Sequence, residues 1–186
     1  MGNGVVQALK QEFDIDDQWV SYEIHPETPA QGLDMAKRFP ASSREAMMER
    51  LQEMGAPYGI TFGNLKLLSN SRLALEASEF ARDQGVFHAY HDALFHAYFS
   101  EGKDIGDLEV LLQLAVSVGL PRDSLAAALA DHRFLSALED GQEQGERHEV
   151  SGTPTFIIDG RYKVVGAQPI DAFRRILRKI EADSRA

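Results

Sequence analysis

The apolar positions of this chain switch between two spacings, and each switch marks an element. Val5, Val6, Leu9 and Phe13 recur at helical spacing, which predicts a helix closed by the acidic run at 14–17. Residues 19–24 then alternate, with Val20, Tyr22 and Ile24 on one face and Trp19, Ser21 and Glu23 on the other. That alternation predicts a strand running out at Pro26. Residues 27–41 are polar, hold two prolines and a glycine, and predict a loop with at most one helical turn. Ser42 and Glu45 form a capping-box pattern ahead of a helix whose face carries Met47, Met48, Leu51 and Met54. That helix stops before Gly55 and Pro57, and residues 58–68 read as extended or irregular.

Residues 69–72, with Asn70 among them, cap a helix bearing Leu73, Leu75, Ala77, Phe80 and Ala81 and ending at Gly85. An aromatic-rich helix follows over 86–99. Asp107 caps another through Val118, with Gly119 and Pro121 as stop signals, and residues 122–150 read as one short and one longer helix. Then the period changes to that of a hairpin. Phe156 to Asp159 form a strand, Asp159-Gly160 the turn, Tyr162 to Val165 the return strand, and Gly166 the break. Pro169 stands at the first turn of a last helix with Phe173, Ile176, Leu177 and Ile180 on one face.

The hairpin's first strand is apolar on both faces and follows directly on Pro154. Such a strand is normally covered above and below and flanked on both edges, whereas a proline at its start removes a ladder donor. The expected flanks are 162–165 on one side and 19–24 on the other. A helix leading into 19–24 is also the second half of a βαβ crossover. On this reading the crossover's first strand belongs upstream of Met1.

Composition narrows the class. The chain has 186 residues, enough for one domain with a sizeable insertion, and a length that buries roughly 70% of the unfolded surface without staples. A net charge of −10 argues against a general nucleic-acid binder. There is no cysteine, hence no disulfide, no thiolate nucleophile and no Cys-based metal site. No apolar run reaches membrane-span length, so no membrane partner is expected. The first residues lack the plan of a signal peptide, and Val6 stands where a myristoylation signal wants Ser or Thr. The cytoplasm is the default compartment.

Several stretches together resemble a known family. "VSGTPTFIIDGRYKVVGAQP" over 150–169, "FHAYFSEGKDIGDLEVLLQLAVSVGL" over 95–120 and "WVSYEIHPETP" over 19–29 resemble DsbA-type thioredoxin-fold proteins, in the FrnE-like branch of dithiol-disulfide isomerases. The resemblance implies an α/β, thioredoxin-like fold with a large all-helical insertion and its first strand missing. The thioredoxin-like domain would comprise 1–31 and 149–186, and the insertion 32–148. It also implies a cis Thr153–Pro154 bond and a turn, Gly152-Thr153-Pro154, whose Thr153 backbone pairs with an extended substrate. In the family that turn faces a Cys-x-x-Cys motif at a helix N-terminus, which stabilises the thiolate. Here the motif would fall just before Met1, about 15 residues with its strand. Either the start was assigned at an internal methionine, or this is a short form without redox chemistry.

The implied functions are accordingly three. The first is a thiol–disulfide oxidoreductase or isomerase whose redox centre is absent from this chain. The second is a glutathione-dependent isomerase or transferase, with Ala167, Gln168 and Asn70 as possible glutathione or peptide contacts and no other cofactor. The third is a non-catalytic module that holds peptides in the proline groove. The expected partner is a thiol or disulfide substrate, protein or glutathione, and an open sheet edge makes a homodimer conceivable. His88, His91, Asp92 and His96 share one helix, but no second cluster completes a metal site, and a packing or solvated face is the better reading. Phe87, Tyr90, Leu94, Phe95, Tyr98 and Phe99 read as core. Met47, Met48 and Met54 read as packing, or as an adaptable groove.

Overall fold

The computed structural model describes residues 1–183. Helix α1 (Gly2–Leu9) opens the chain. After a long extended stretch come strand β1 (Leu33–Asp34), the one-turn helix α2 (Met35–Arg38) and helix α3 (Ala41–Gly55). Strand β2 (Leu67–Leu68) precedes α4 (Arg72–Asp83), α5 (Phe87–Phe95) and a π-helical turn, His96–Ser100. Helices α6 (Leu108–Ser117), α7 (Arg122–Ala130) and α8 (Leu135–Arg147) follow. The hairpin β3 (Thr155–Ile158) and β4 (Tyr162–Val165) and helix α9 (Ile170–Asp183) end the described chain.

These elements fall into two compact units, residues 21–142 and residues 1–20 with 143–186. The first is a helical body. Its core joins Ala77 and Phe80 of α4, Tyr90 and Leu94 of α5, Leu111 and Ala115 of α6, and Leu125 and Leu129 of α7. Alanines let α4 approach its neighbours closely, and the large side chains fill the remaining space. The Tyr90 hydroxyl, carried into this core, donates to the Leu111 carbonyl at 3.2 Å, as a buried phenol must. Burial pushes the Tyr90 phenol well above its usual range.

The second unit is thin. Val5 and Leu9 of α1 and Phe173 of α9 are its buried apolar side chains among the described residues. Phe156 of β3 meets Phe173 edge to face at 4.9 Å. The hairpin closes as its Asp-Gly signal requires: Asp159 and Gly160 both take positive φ, 54° and 63°. The register sets Ile158 opposite Tyr162, which leaves Arg161 as an extra residue in the loop.

Three expectations are corrected. Residues 19–24 enter neither of the two sheets, so they form no ladder with 155–159. Their inward face is the polar one: Ser21 and Glu23 are buried, while Val20 is 48% exposed. Specific partners explain the inversion. Ser21 donates to Glu79 at 2.6 Å, Arg72 holds the Glu23 carboxylate at 3.0 Å, and the Glu23 N–H donates to Gln142. Second, α3 begins at Ala41 after Pro40, so Ser42 lies inside the helix and the capping box does not form. Third, the aromatic helix does not run on to Phe99 as one α-helix; it widens into the π turn at His96.

Candidate functional site

The turn before β3 is built from local constraints. The Thr153–Pro154 bond is cis, in agreement with the expectation from the resemblance. Thr155 Oγ1 donates to the Gly152 carbonyl at 2.6 Å and tightens the turn from below. The Pro154 carbonyl accepts from Gly166 N–H at 2.7 Å, which ties the turn to the end of β4. Gly166 meets this geometry at φ 80°, a conformation that favours glycine.

Helix α1 reaches the same turn. A Cβ added to Gly2 would lie 3.2 Å from Pro154 Cβ and 3.5 Å from the Phe156 ring. The backbone of the first helical residue is therefore seated on the proline ring. A helix start leaves N–H groups without intrahelical acceptors and carries the positive end of the dipole. That end adjoins Gly152-Thr153-Pro154.

Thr153 itself is exposed. Among the described residues no hydrogen bond reaches its N–H or its carbonyl. The β3 register extends this free backbone. Gly166 pairs with Pro154, so by antiparallel alternation Phe156 and Ile158 also turn their N–H and C=O toward β4. Thr155 and Ile157 turn theirs outward. Three residues, Thr153, Thr155 and Ile157, thus offer backbone donors and acceptors along one edge that is open among the described residues.

The remaining sequence-nominated residues are engaged elsewhere. Gln168 folds its amide back, Nε2 donating to the Val165 carbonyl at 2.9 Å, and Ala167 sits half-buried in the same turn. Asn70 belongs to the helical unit. It lies one residue ahead of Ser71, the N-cap of α4, where it accepts from Arg72 N–H at 3.0 Å and donates to the Thr28 carbonyl at 2.6 Å. His91 lies between Phe87 and Phe95, with ring centroids at 5.4 and 4.0 Å. Burial lowers its pKa to about 4, against the raising effect of Asp92. Among the described residues no group of His, Asp or Glu side chains is gathered as metal ligands, and no helix is long and apolar enough to cross a membrane.

Gly2 and the outward backbone of Thr155 and Ile157 were not singled out from sequence. A signal for Gly2 was present: glycine is a poor helix former, so one at a helix start hints at a close approach. The outward groups are set by the register, which depends on the one extra residue at Arg161.

Comparison with known proteins agrees with this geometry. The family described as DSBA-like thioredoxin domain matches residues 1–178. The chain belongs to that family. Protein YwbO of Bacillus subtilis, whose name calls it uncharacterized, is 30% identical over 178 residues, covering 92% of this chain and 84% of its own. The thiol:disulfide interchange protein DsbA of Pseudomonas syringae pv. tomato is 27% identical over 79 residues, 42% of this chain and 37% of that protein. Among solved structures, a probable DsbA oxidoreductase, SCO1869 from Streptomyces coelicolor, superposes with a TM-score of 0.88 at 20% identity, over 96% of this chain and 82% of that one. The DsbA-like thioredoxin fold follows, here largely helical with few short strands. This member has no cysteine and therefore no Cys-x-x-Cys centre.

Proposed function

We propose that this chain serves FrnE-like thiol–disulfide chemistry as a substrate-gripping domain: it holds an extended thiol- or disulfide-bearing peptide and supplies no thiolate of its own. The observation that carries the reading is the unpaired backbone of Thr153, continued by Thr155 and Ile157, beside the α1 start seated on Pro154. A peptide laid along this edge gains main-chain hydrogen bonds as an added strand does. The adjoining helix start favours negative charge, the charge of a bound thiolate. Thiol–disulfide exchange needs a thiolate, and with no cysteine the chain alone does not catalyse it.

The glutathione-dependent isomerase or transferase reading uses the same turn together with Ala167 and Gln168. The Gln168 amide is already spent on Val165, which favours a longer peptide held along β3 over a tripeptide held at the 166–169 turn.

The test is a titration of isotope-labelled protein with an extended disulfide-bearing peptide and, separately, with oxidised glutathione. The peptide is expected to shift the amides of Thr153, Thr155 and Ile157, and an insulin-reduction assay is expected to stay at background. Shifts confined to Ala167 and Gln168 with glutathione would favour the isomerase or transferase reading instead. Shifts at none of these residues would overturn the proposal. A second copy of the chain competes for the same edge. Ile157→Pro removes the outward N–H but also the half-buried Ile side chain, and it fixes φ. Concentration-dependent dimers abolished by this change, with thermal melts showing that the fold is kept, would assign the edge to self-association.

A further inference from the structure

A second binding site lies in the helical unit and does not rest on the reading of the Thr153 turn. Helix α3 and the extended segment 62–65 border an open groove of about 390 Å³, within the usual size of small-ligand pockets. Met47, Met48, Phe62 and Leu65 line it, together with Arg44 and Glu45.

The floor of the groove is fixed in place. Gln52 of α3 donates its amide to the Phe62 carbonyl. Gly63 N–H donates to the Phe99 carbonyl at 2.8 Å, and Ser100 Oγ donates to the Thr61 carbonyl at 2.7 Å. A Cβ at Gly63 would lie 2.1 Å from the Ser100 carbonyl oxygen, so the segment is pressed on the π turn as closely as a backbone allows. The π turn follows α5 at its C-terminal end, and it anchors one wall of the groove.

Two sets of polar groups on these walls lack partners. Arg44 Nε is shut off from solvent yet has no hydrogen-bond acceptor, and no ion pair of Arg44 occurs among the described residues. A guanidinium so placed calls for a carboxylate. Along the floor, neither Asn64 nor Leu65 makes a backbone hydrogen bond among the described residues. Extended backbone of this kind pairs with another extended chain. Met47 and Met48 supply a wall that adapts to apolar side chains of different shape.

We propose that this groove binds the carboxyl terminus of an extended peptide whose last residue is apolar. The terminal carboxylate meets the terminal nitrogens of the Arg44 guanidinium, since Nε itself is shut off from solvent. The peptide backbone pairs with Leu65 and with the N–H of Asn64, whose carbonyl lies against Gly102. The last side chain packs between the methionines and Phe62. A terminal residue carries all three features within one residue's length, which suits so short a groove. A fatty acid would satisfy Arg44 and the apolar wall but leave the backbone of 64–65 unpaired.

The experiment uses the full chain, isotope-labelled, titrated with N-acetyl-Ala-Ala-Leu, with the same peptide as its C-terminal amide, and with octanoate. The free-acid peptide is expected to shift Arg44 Nε, Gly63, Asn64 and Leu65, with the amide weaker by about tenfold or more, the loss of one charge-assisted contact. Arg44→Gln should bring the acid down to the affinity of the amide. Arg44→Lys should recover only part of it, because an ammonium does not reproduce the guanidinium fork. Thermal melts of both variants report whether the fold is kept, and Met47→Ala on the same groove provides an independent loss of affinity. Equal binding of acid and amide, indifference to Arg44→Gln, octanoate shifting Asn64 and Leu65 as strongly as the peptide, or no shift at millimolar peptide would each overturn the proposal.

Discussion

The helical unit and the hairpin unit solve the same problem with opposite economies. In the helical unit every long side chain at the centre is out of solvent: Tyr90, Leu111 and Leu125 are fully buried, and alanines at Ala74, Ala77, Ala115 and Ala128 let the helices close on them. In the hairpin unit every residue of β3 is only half-buried, and the covered apolar side chains reduce to Val5, Leu9 and Phe173 among the described residues. Burial stabilises at roughly 25 cal/mol per Å² of apolar surface, so the two units do not share the fold's stability evenly. The lesson concerns function. In the hairpin unit low burial goes together with an open backbone edge along β3 among the described residues, as is common for segments of low local stability at binding sites.

Leucine truncation breaks the comparison most forcefully. Leu111→Ala in the helical core is expected to cost about 2–5 kcal/mol. Leu9→Ala, the like-for-like truncation in the thinner hairpin unit, is expected to fall at the low end of that range because fewer neighbours surround it. Chemical denaturation of both variants reads this directly. Equal losses would erase the distinction between the units.

Acid sharpens it next. His91 is buried with its pKa lowered to about 4, while an unfolded histidine titrates near 6.5. The native state resists a proton that the unfolded state accepts. Stability from this residue is therefore complete above about pH 6.5 and lost as pH falls toward about 4, by up to about 3 kcal/mol. His91→Gln should flatten that part of the stability–pH curve; an unchanged slope would show that the loss lies elsewhere.

Close packing gives a third test. Gly63→Ala drives a methyl into the Ser100 carbonyl and should cost about 1–3 kcal/mol, as overpacking does, in the same denaturation assay. The smallest effect belongs to the surface. Arg174 bridges Glu12 at 3.0 Å and Asp171 at 2.8 Å, all near solvent. Their hydrogen bonds from Arg174 hold both carboxyls below the usual range, yet solvent and salt screen such pairs. Arg174→Gln should move the melting temperature less than any change above, and less still at high salt.

How legible this was in the sequence varied with the length scale of the signal. The helices of the central block, the Asp159-Gly160 turn and the buried Phe173 follow from periodicity and turn chemistry, which act within a few residues. The polar inward face of 19–24 was hidden, because it depends on Glu79, Arg72 and Gln142, far away in sequence. The capping box at Ser42 failed because Pro40 starts the helix two residues earlier. The π turn left no periodicity to read. At the site, Gly152, Thr153 and Pro154 were legible through their resemblance to a family, and the cis bond agrees. The outward backbone of Thr155 and Ile157 was not, since a strand's pairing parity is decided by the loop that precedes its partner.

Amide hydrogen exchange along β3 tests that parity, and with it the open edge, most directly. Without ligand, Thr155 and Ile157 are expected to exchange fast and Phe156 and Ile158, paired across to β4, slowly; an extended disulfide-bearing peptide should then slow Thr153, Thr155 and Ile157 together. Slow exchange at Thr155 and Ile157 in the isolated chain at low concentration, or no change on adding the peptide, would contradict the account.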